Sequence, residues 1–320
     1  MKLALALAAA LMLTGCSAAT SQPAADEDAV APFAIDADFP DPDVLKVGDE
    51  YHLYATNGAG FNIQHAVSTD LMDWEVVSAD VLPTLPDWAS PGKTWAPEVT
   101  EVADGRFVMY VTVANTSPSA QCIGVAVAEK PEGPFVPVGD APLVCPTDDG
   151  GAIDASTFRD DDGVLYLLFK NDGNCCGKDT WLQIAPLSDD GLALAGEPTR
   201  LLKQTESWEG DLIEAPTLVK RGDTYLLLYS ANGYGGPEYA TGYATATSVL
   251  GPYTKGEQPL LTTDGSDGRY LGPGGQDVVV GPDGDDYLVF HSWDDLYIQR
   301  GVSVVPMTFT DGVPAVELPE

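Results

Sequence analysis

The chain has 320 residues, and 49 Asp and Glu against 15 Lys and Arg leave a net charge of -34 at neutral pH. Gripping nucleic acid requires clustered Lys and Arg that displace counterions from phosphates, so this field excludes it. Apolar residues at 44% exclude an acidic disordered chain, and 33 glycines and 25 prolines, with no long Ala/Leu/Glu/Lys stretches at helical spacing, favour short strands joined by turns.

Residues 1–15 hold one Lys at position 2 and an apolar run from Leu3 to Leu13. Crossing a bilayer takes about 20 residues, so so short a run reads as a secretory signal. Leu13-Thr14-Gly15-Cys16 resembles a bacterial lipobox, in which Cys16 is lipidated and becomes the new N-terminus; plain secretion is the alternative. Residues 16–32 are rich in Ala, Ser, Pro and acids and read as a flexible tether, leaving residues 33–320 as the folded domain. The protein is thus expected to be exported and held at the cell surface or a periplasm-facing membrane by its lipid alone, the outer membrane if the cell is Gram-negative.

Within the folded domain, a turn followed by alternating aromatic and aliphatic residues occurs five times. The first copy is Gly48-Asp49-Glu50-Tyr51-His52-Leu53-Tyr54, and the markers Tyr51, Phe107, Leu165, Tyr225 and Tyr287 follow at spacings of 56, 58, 60 and 62 residues. A strand-rich repeat of this length predicts an all-β, five-bladed propeller whose four-stranded antiparallel blades surround a central channel. Small alternating residues after each marker, such as Gly124-Val125-Ala126-Val127-Ala128, then a turn such as Gly133-Pro134-Phe135, place the marker on the second strand of its blade.

The innermost strands line the channel, and counting back from the markers reaches them in chain order. Ten residues before Tyr51, where the turn is one residue shorter, lies Asp41; eleven before the other markers lie Ala96, Asp154, Glu214 and Gln276. Rotation about the channel brings equivalent positions together, so Asp41, Asp154 and Glu214 are expected to converge. Carboxylates crowded in a partly desolvated pocket raise one another's pKa values, a cost that marks them as functional candidates. Most other acids serve turns or solvation, as Asp104, Asp162 and Asp283 do before glycines.

Cysteines beyond position 16 are expected to form disulfides in an oxidising compartment. Cys122 and Cys145 flank a hairpin of the second blade and are the favoured bridge; Cys175 and Cys176, adjacent in the third, are left open between a vicinal pair, free thiols and exchange. Of three histidines, His52 and His65 fall on first-blade strands and read as packing or surface residues, whereas His291, in Phe290-His291-Ser292-Trp293, follows the fifth marker and is a candidate for the channel rim.

Phe39-Pro40-Asp41-Pro42, Ala152-Ile153-Asp154 followed by Phe158 and Asp160-Asp161-Asp162-Gly163, and Glu214-Ala215-Pro216 occur in order at blade spacing, joined by Trp95-Ala96-Pro97-Glu98. Over the stretch from Phe33 to the C-terminus the chain resembles glycoside hydrolase family 43, five-bladed propellers that cleave arabinofuranosyl or xylosyl linkages with inversion. The resemblance implies Asp41 as general base, Glu214 as general acid and Asp154 as the residue that orients the acid and tunes its pKa. It also implies a sugar site near Trp95. Many members carry a His in a Gly-Pro-Gly-His-like turn that helps hold a channel metal; here the turn reads Gly272-Pro273-Gly274-Gly275-Gln276-Asp277. No cofactor is expected to be required, and a calcium ion at Gln276 is the alternative left open.

In the expected mechanism, protonated Glu214 protonates the departing oxygen while Asp41 activates water on the opposite face, which needs the carboxyl groups ~6.5–9.5 Å apart. A negative Asp154 would keep Glu214 protonated. Phe39, Trp95, Gln276 and His291 are the candidate sugar contacts, with core packing the alternative for the aromatics. The expected substrate is a plant cell-wall oligo- or polysaccharide with α-L-arabinofuranosyl linkages, arabinan or arabinoxylan side chains, cleaved by a monomer. A β-xylosidase, a retaining fructan-cleaving propeller and a non-catalytic glycan-binding lipoprotein are alternatives. A Ser-His-Asp hydrolase is disfavoured, because no Gly-x-Ser-x-Gly occurs.

Overall fold

Alternating apolar residues build pleated strands whose two faces both meet neighbouring sheets, and that is the environment of every marker segment. In the computed structural model, which describes residues 33–102, 105–117, 119–310 and 312–319, the first blade comprises β1 (Asp43–Val47), β2 (Glu50–Ala55), β3 (Gln64–Ser68) and β4 (Glu75–Val76). The second holds β5 (Ala89–Glu101), β6 (Phe107–Thr116), β7 (Ser119–Ala128) and β8 (Val136–Val138), and the third β9 (Ala152–Arg159), β10 (Leu165–Asn171), β11 (Trp181–Pro186) and β12 (Thr199–Lys203). The fourth holds β13 (Ile213–Arg221), β14 (Thr224–Ala231), β15 (Ala240–Ala246) and β16 (Thr254–Lys255), and the fifth β17 (Leu271–Val280), β18 (Asp286–Trp293), β19 (Arg300–Thr310) and β20 (Val313–Val316). Each blade is a four-stranded antiparallel meander in sequence order, and all five markers lie on second strands. The fold is a five-bladed β-propeller.

Packing between blades supplies the core. Each neighbouring pair shares one apolar cluster: Tyr54 and Ile63 of the first blade meet Val99 and Met109 of the second, and Leu53 and Val44 meet Val289 of the fifth. Edge-to-face rings at these seams, such as Tyr54 on Phe135 with centroids 6.2 Å apart, fix how adjacent sheets face each other.

The ring closes by a route with no sequence signal. The segment leading to the first blade pairs with the start of β19, the third strand of the last blade: Ala34 N–H donates to Val302 O (2.7 Å), Val302 N–H to Ile35 O (3.1 Å) and Phe39 N–H to Arg300 O (2.9 Å). First and last blades are thereby joined through backbone bonds. Phe39, expected against sugar, is buried in this seam among Ile35, Tyr51 and Val302.

Cys122 on β7 bonds to Cys145 beyond β8, as expected, and Cys175 bonds to Cys176 in the turn after β10, which resolves the alternatives left open for that pair. His52 and His65 are buried and stacked, with Nδ1 of the first 3.1 Å from Nε2 of the second. The signal segment, Cys16 and the tether up to residue 32 lie outside the described residues.

Candidate active site

At the level of the cavity, each innermost strand or the stretch just before it carries a residue in a left-handed conformation: Asp41 (φ 57°), Ala96 (41°), Asp154 (56°), Ala215 (50°) and Gly275 (57°). In blades two to five this residue and its successor form a bulge where the ladder skips, for example between Trp95 and Glu98 or between Glu214 and Thr217. Pro42, Pro97 and Pro216 follow it in three blades, where a residue without an N–H suits a position the ladder does not use. The five kinks turn side chains toward the axis at one level, around a cavity of about 500 Å³ lined by all five blades.

The count from the markers is one residue off in the last two blades. The turn between β13 and β14 has two residues, Gly222 and Asp223, as in the first blade, so eleven back from Tyr225 reaches Glu214 rather than the kinked Ala215. In the fifth blade Tyr287 sits one residue into β18, and the kinked residue is Gly275 rather than Gln276. Asp41, Asp154 and Glu214 nonetheless all line the cavity, with Asp41 two residues ahead of β1 rather than on it.

Each carboxylate is held by its own partners. Thr56 donates its hydroxyl to Asp41 Oδ2 (2.6 Å) and accepts from Ala96 N–H (2.9 Å), tying the first blade to the second. Arg300 Nη1 stands 3.9 Å from Asp41 Oδ1. Behind it His291, fully buried, accepts the Asp41 N–H at Nδ1 (3.0 Å), and burial with the nearby Arg300 holds its imidazole well below its usual pKa. His291 therefore braces the backbone of Asp41 and does not line the cavity, contrary to the expected sugar contact.

Glu214 accepts from Lys170 Nζ at Oε2 (2.9 Å) and from Tyr239 hydroxyl at Oε1 (2.9 Å). Burial alone would lower Lys170, but the carboxylates of Glu214 and Asp154 outweigh it and its pKa is raised. Asp154 accepts the N–H of Ala215, next to Glu214, at Oδ2 (3.0 Å). Burial, and then the charge of Glu214, push the Asp154 carboxyl up to about 8, with Lys170 acting against both. The sequence reading placed the proton on Glu214 beside an ionised Asp154. The lysine it did not foresee pairs with Glu214, and the carboxyl that burial raises is that of Asp154.

One step along the strands lies a second carboxylate tier of Asp43, Glu98 and Asp277, at matching positions just past each kink. Burial and the charges of Glu98 and Asp277 raise Asp43 well above its ordinary value; burial and Asp277 raise Glu98 to about 8; burial raises Asp277 to about 6. Asp43 also accepts Val99 N–H (2.8 Å), Asp277 accepts Val44 N–H (2.9 Å), and the Thr157 hydroxyl donates to Glu98.

Trp95 lines the cavity and is partly exposed. Gln276 lines it too, but its amide is engaged by protein: Nε2 donates to Ala215 O (2.7 Å) and Oε1 accepts from Ser230 hydroxyl (2.9 Å). That leaves Gln276 a poor calcium ligand, and among the described residues no group of three or more His, Cys, Asp or Glu is disposed around a metal position. Lys170, Tyr239, Arg300 and Tyr234 are cavity residues that sequence reasoning missed. For Lys170 a signal existed: it ends the apolar run Leu165-Tyr166-Leu167-Leu168-Phe169, and a lysine continuing a buried strand needs a carboxylate partner.

The family described as glycosyl hydrolases family 43 matches residues 33–314. Similar curated proteins include a β-D-galactofuranosidase of Aspergillus niger, 28% identical over 76% of this chain and 72% of that protein, and an extracellular endo-α-(1→5)-L-arabinanase of Bacillus subtilis, 28% identical over 72% of this chain. The match spans 53% of the arabinanase, about half its length. A xylan 1,3-β-xylosidase of a Vibrio species is 26% identical over 70% of this chain and 42% of that protein. Among solved structures, a thermostable family-43 glycoside hydrolase superposes with a TM-score of 0.78 at 29% identity, covering 88% of this chain and 94% of the other.

Proposed function

The chain belongs to glycosyl hydrolases family 43, and from that premise we propose that it is an inverting glycosidase acting on α-L-arabinofuranosyl linkages of arabinan or arabinoxylan. The observation behind this reading is the division of the cavity: Asp41 on one side, fastened to Thr56 and beside Arg300, and Glu214 with the raised Asp154 carboxyl on blades three and four. Glu214 delivers a proton to the departing oxygen, and Asp154, which accepts the N–H of the adjacent Ala215, positions it. Asp41 takes a proton from water entering on the opposite face of the anomeric carbon. Lys170 and Tyr239 aim the Glu214 carboxyl, and Trp95 offers a ring face to the sugar.

The net charge of -34 repels polygalacturonate and leaves neutral side chains as substrates. The xylosidase among its relatives supports xylosyl linkages as the second reading. Proton NMR of the first product released from linear arabinan tests the proposal: inverted configuration at the new reducing end supports it, and retention overturns the mechanism. Release from xylo-oligosaccharides alone would favour the second reading. Glycan capture without any release would make the chain a binding protein.

Export with lipidation at Cys16 completes the proposal, in keeping with the signal-like residues 1–15. Cys16→Ser should turn a membrane-bound protein into a soluble one; membrane association that survives the change would remove the anchor from the reading.

A further inference from the structure

Four of the ten large apolar side chains that stand exposed among the described residues lie at one place on the fifth-blade side of the cavity: Tyr234, Leu296, Tyr297 and Ile298. Leu296 is 74% and Ile298 71% exposed, in a chain dominated by surface carboxylates. Tyr234 and Tyr297 connect to the cavity, and Leu296 and Ile298 flank Tyr297 in the chain. Tyr234 and Arg300 line the cavity, the Arg300 guanidinium lies over the Tyr234 ring (4.8 Å) and over Trp293 (5.5 Å), and Trp293 meets the Tyr297 ring at 5.9 Å. Trp293 Nε1 donates to Tyr234 O (2.7 Å), so the two sides of the row are locked together.

The hairpin tip that ends this row is built firmly. Asp294 N–H donates to Gln299 O (3.0 Å), Asp294 Oδ1 accepts Ile298 N–H (2.7 Å), and the Gln299 side chain reaches Asp36 (2.7 Å). Tyr297 has φ 54°, a conformation glycine or asparagine adopts without the strain a bulky residue incurs. The strained tyrosine places a ring against Trp293 that a glycine could not.

We propose that this row of rings is a sugar-binding rim that holds the part of a glycan chain lying outside the catalytic cavity, which makes the protein an enzyme for chains of several units. The inference rests on the glycosidase reading above. Sugars present apolar C–H faces edged by hydroxyls, and ring faces interleaved with a guanidinium match that pattern; an exposed apolar patch adjoining a ligand cavity is where such binding belongs.

The test uses the full chain, linear α-1,5-arabino-oligosaccharides of two to six units and the 4-nitrophenyl arabinofuranoside, with Tyr297→Asn, chosen because asparagine tolerates the left-handed backbone, and Leu296→Ser/Ile298→Ser. For the wild type, kcat/KM should rise with chain length. In each variant the ratio of kcat/KM for the hexamer to that for the aryl glycoside should fall about fivefold, through KM. An active wild type with no gain from chain length, or a ratio within twofold of wild type in both variants, overturns the rim. If the wild type cleaves no arabinosyl substrate, the arabinan reading fails instead, and the same ratio is read with xylo-oligosaccharides. A dimer that dissociates in Leu296→Ser/Ile298→Ser would assign the patch to a second copy and likewise overturn the proposal.

Discussion

Lys170 Nζ lies 2.9 Å from Glu214 Oε2, and the lysine side chain is wholly buried while the glutamate faces the cavity. A buried lysine of this kind stabilises whichever carboxylate is ionised beside it and so opposes the rise that burial imposes on Asp154. Lys170→Met removes that opposition. The alkaline limb of the pH profile for glycoside cleavage should move up by about 1 to 3 pH units, the range of an adjacent opposite charge. A limb that stays in place while kcat falls would show that the lysine only packs.

The acid and the base should fail differently. Glu214→Gln keeps its hydrogen-bonding shape toward Tyr239 but cannot give a proton, so cleavage with a sugar leaving group should drop by about 10²–10⁴-fold. A nitrophenolate needs little protonation and should be largely spared. Asp41→Asn takes away the group that prepares water, and both substrates should suffer together. Equal losses for both substrates in Glu214→Gln, with Asp41→Asn unaffected, would reverse the assignment.

Gly275 shows how closely the base is packed from behind. A Cβ there would stand 2.6 Å from His291 Nδ1 and 2.9 Å from Asp41 Oδ1, on a backbone with φ +57°. Gly275→Ala should therefore displace the Asp41 carboxylate and its brace together, and a shift approaching 1 Å costs about 10²-fold in rate. Steady-state kinetics on the aryl glycoside, with thermal melting as a control for folding, measure this. Near-normal turnover would mean that Asp41 tolerates displacement and is not the base.

Legibility in the sequence followed the repeat. The marker strands were readable because hydrophobic alternation and turn residues are local, and Asp41, Asp154 and Glu214 stood out because the blade symmetry gives distant carboxylates a common level. The one-residue slip arose at Glu214 from a shorter turn and at Gln276 from a marker one residue into its strand, both of which shift the count without altering the pattern. Lys170 and Arg300 meet the carboxylates across blades, and Tyr239 meets Glu214 from a strand start two places away in the same blade; such pairings depend on how strands and sheets pack rather than on spacing. Phe39 and His291 sit beside motif residues in the chain, yet one packs in the closing seam and the other behind Asp41. Adjacency in sequence does not decide which face a side chain joins.

The second carboxylate tier predicts how stability depends on pH. Glu98 is raised to about 8 by burial and by Asp277, Asp277 itself to about 6, and Asp43 rises with them. Between an unfolded value near ~4.3 and these folded values the native state binds more protons than the unfolded chain. The sign follows: the stabilisation is complete below the unfolded pKa and is lost as pH rises through the folded ones, by a slope of order 1 kcal/mol per pH unit for each group. Glu98→Gln keeps an oxygen to accept the Thr157 hydroxyl and has no charge to bury. Its urea midpoint should change less between pH 5 and pH 8 than that of the wild type, and the two proteins should differ most at pH 8, with the variant the more resistant. Parallel midpoint curves across that range would mean that Glu98 is ionised in the folded protein and that the tier is held by charge neutralisation rather than by protons.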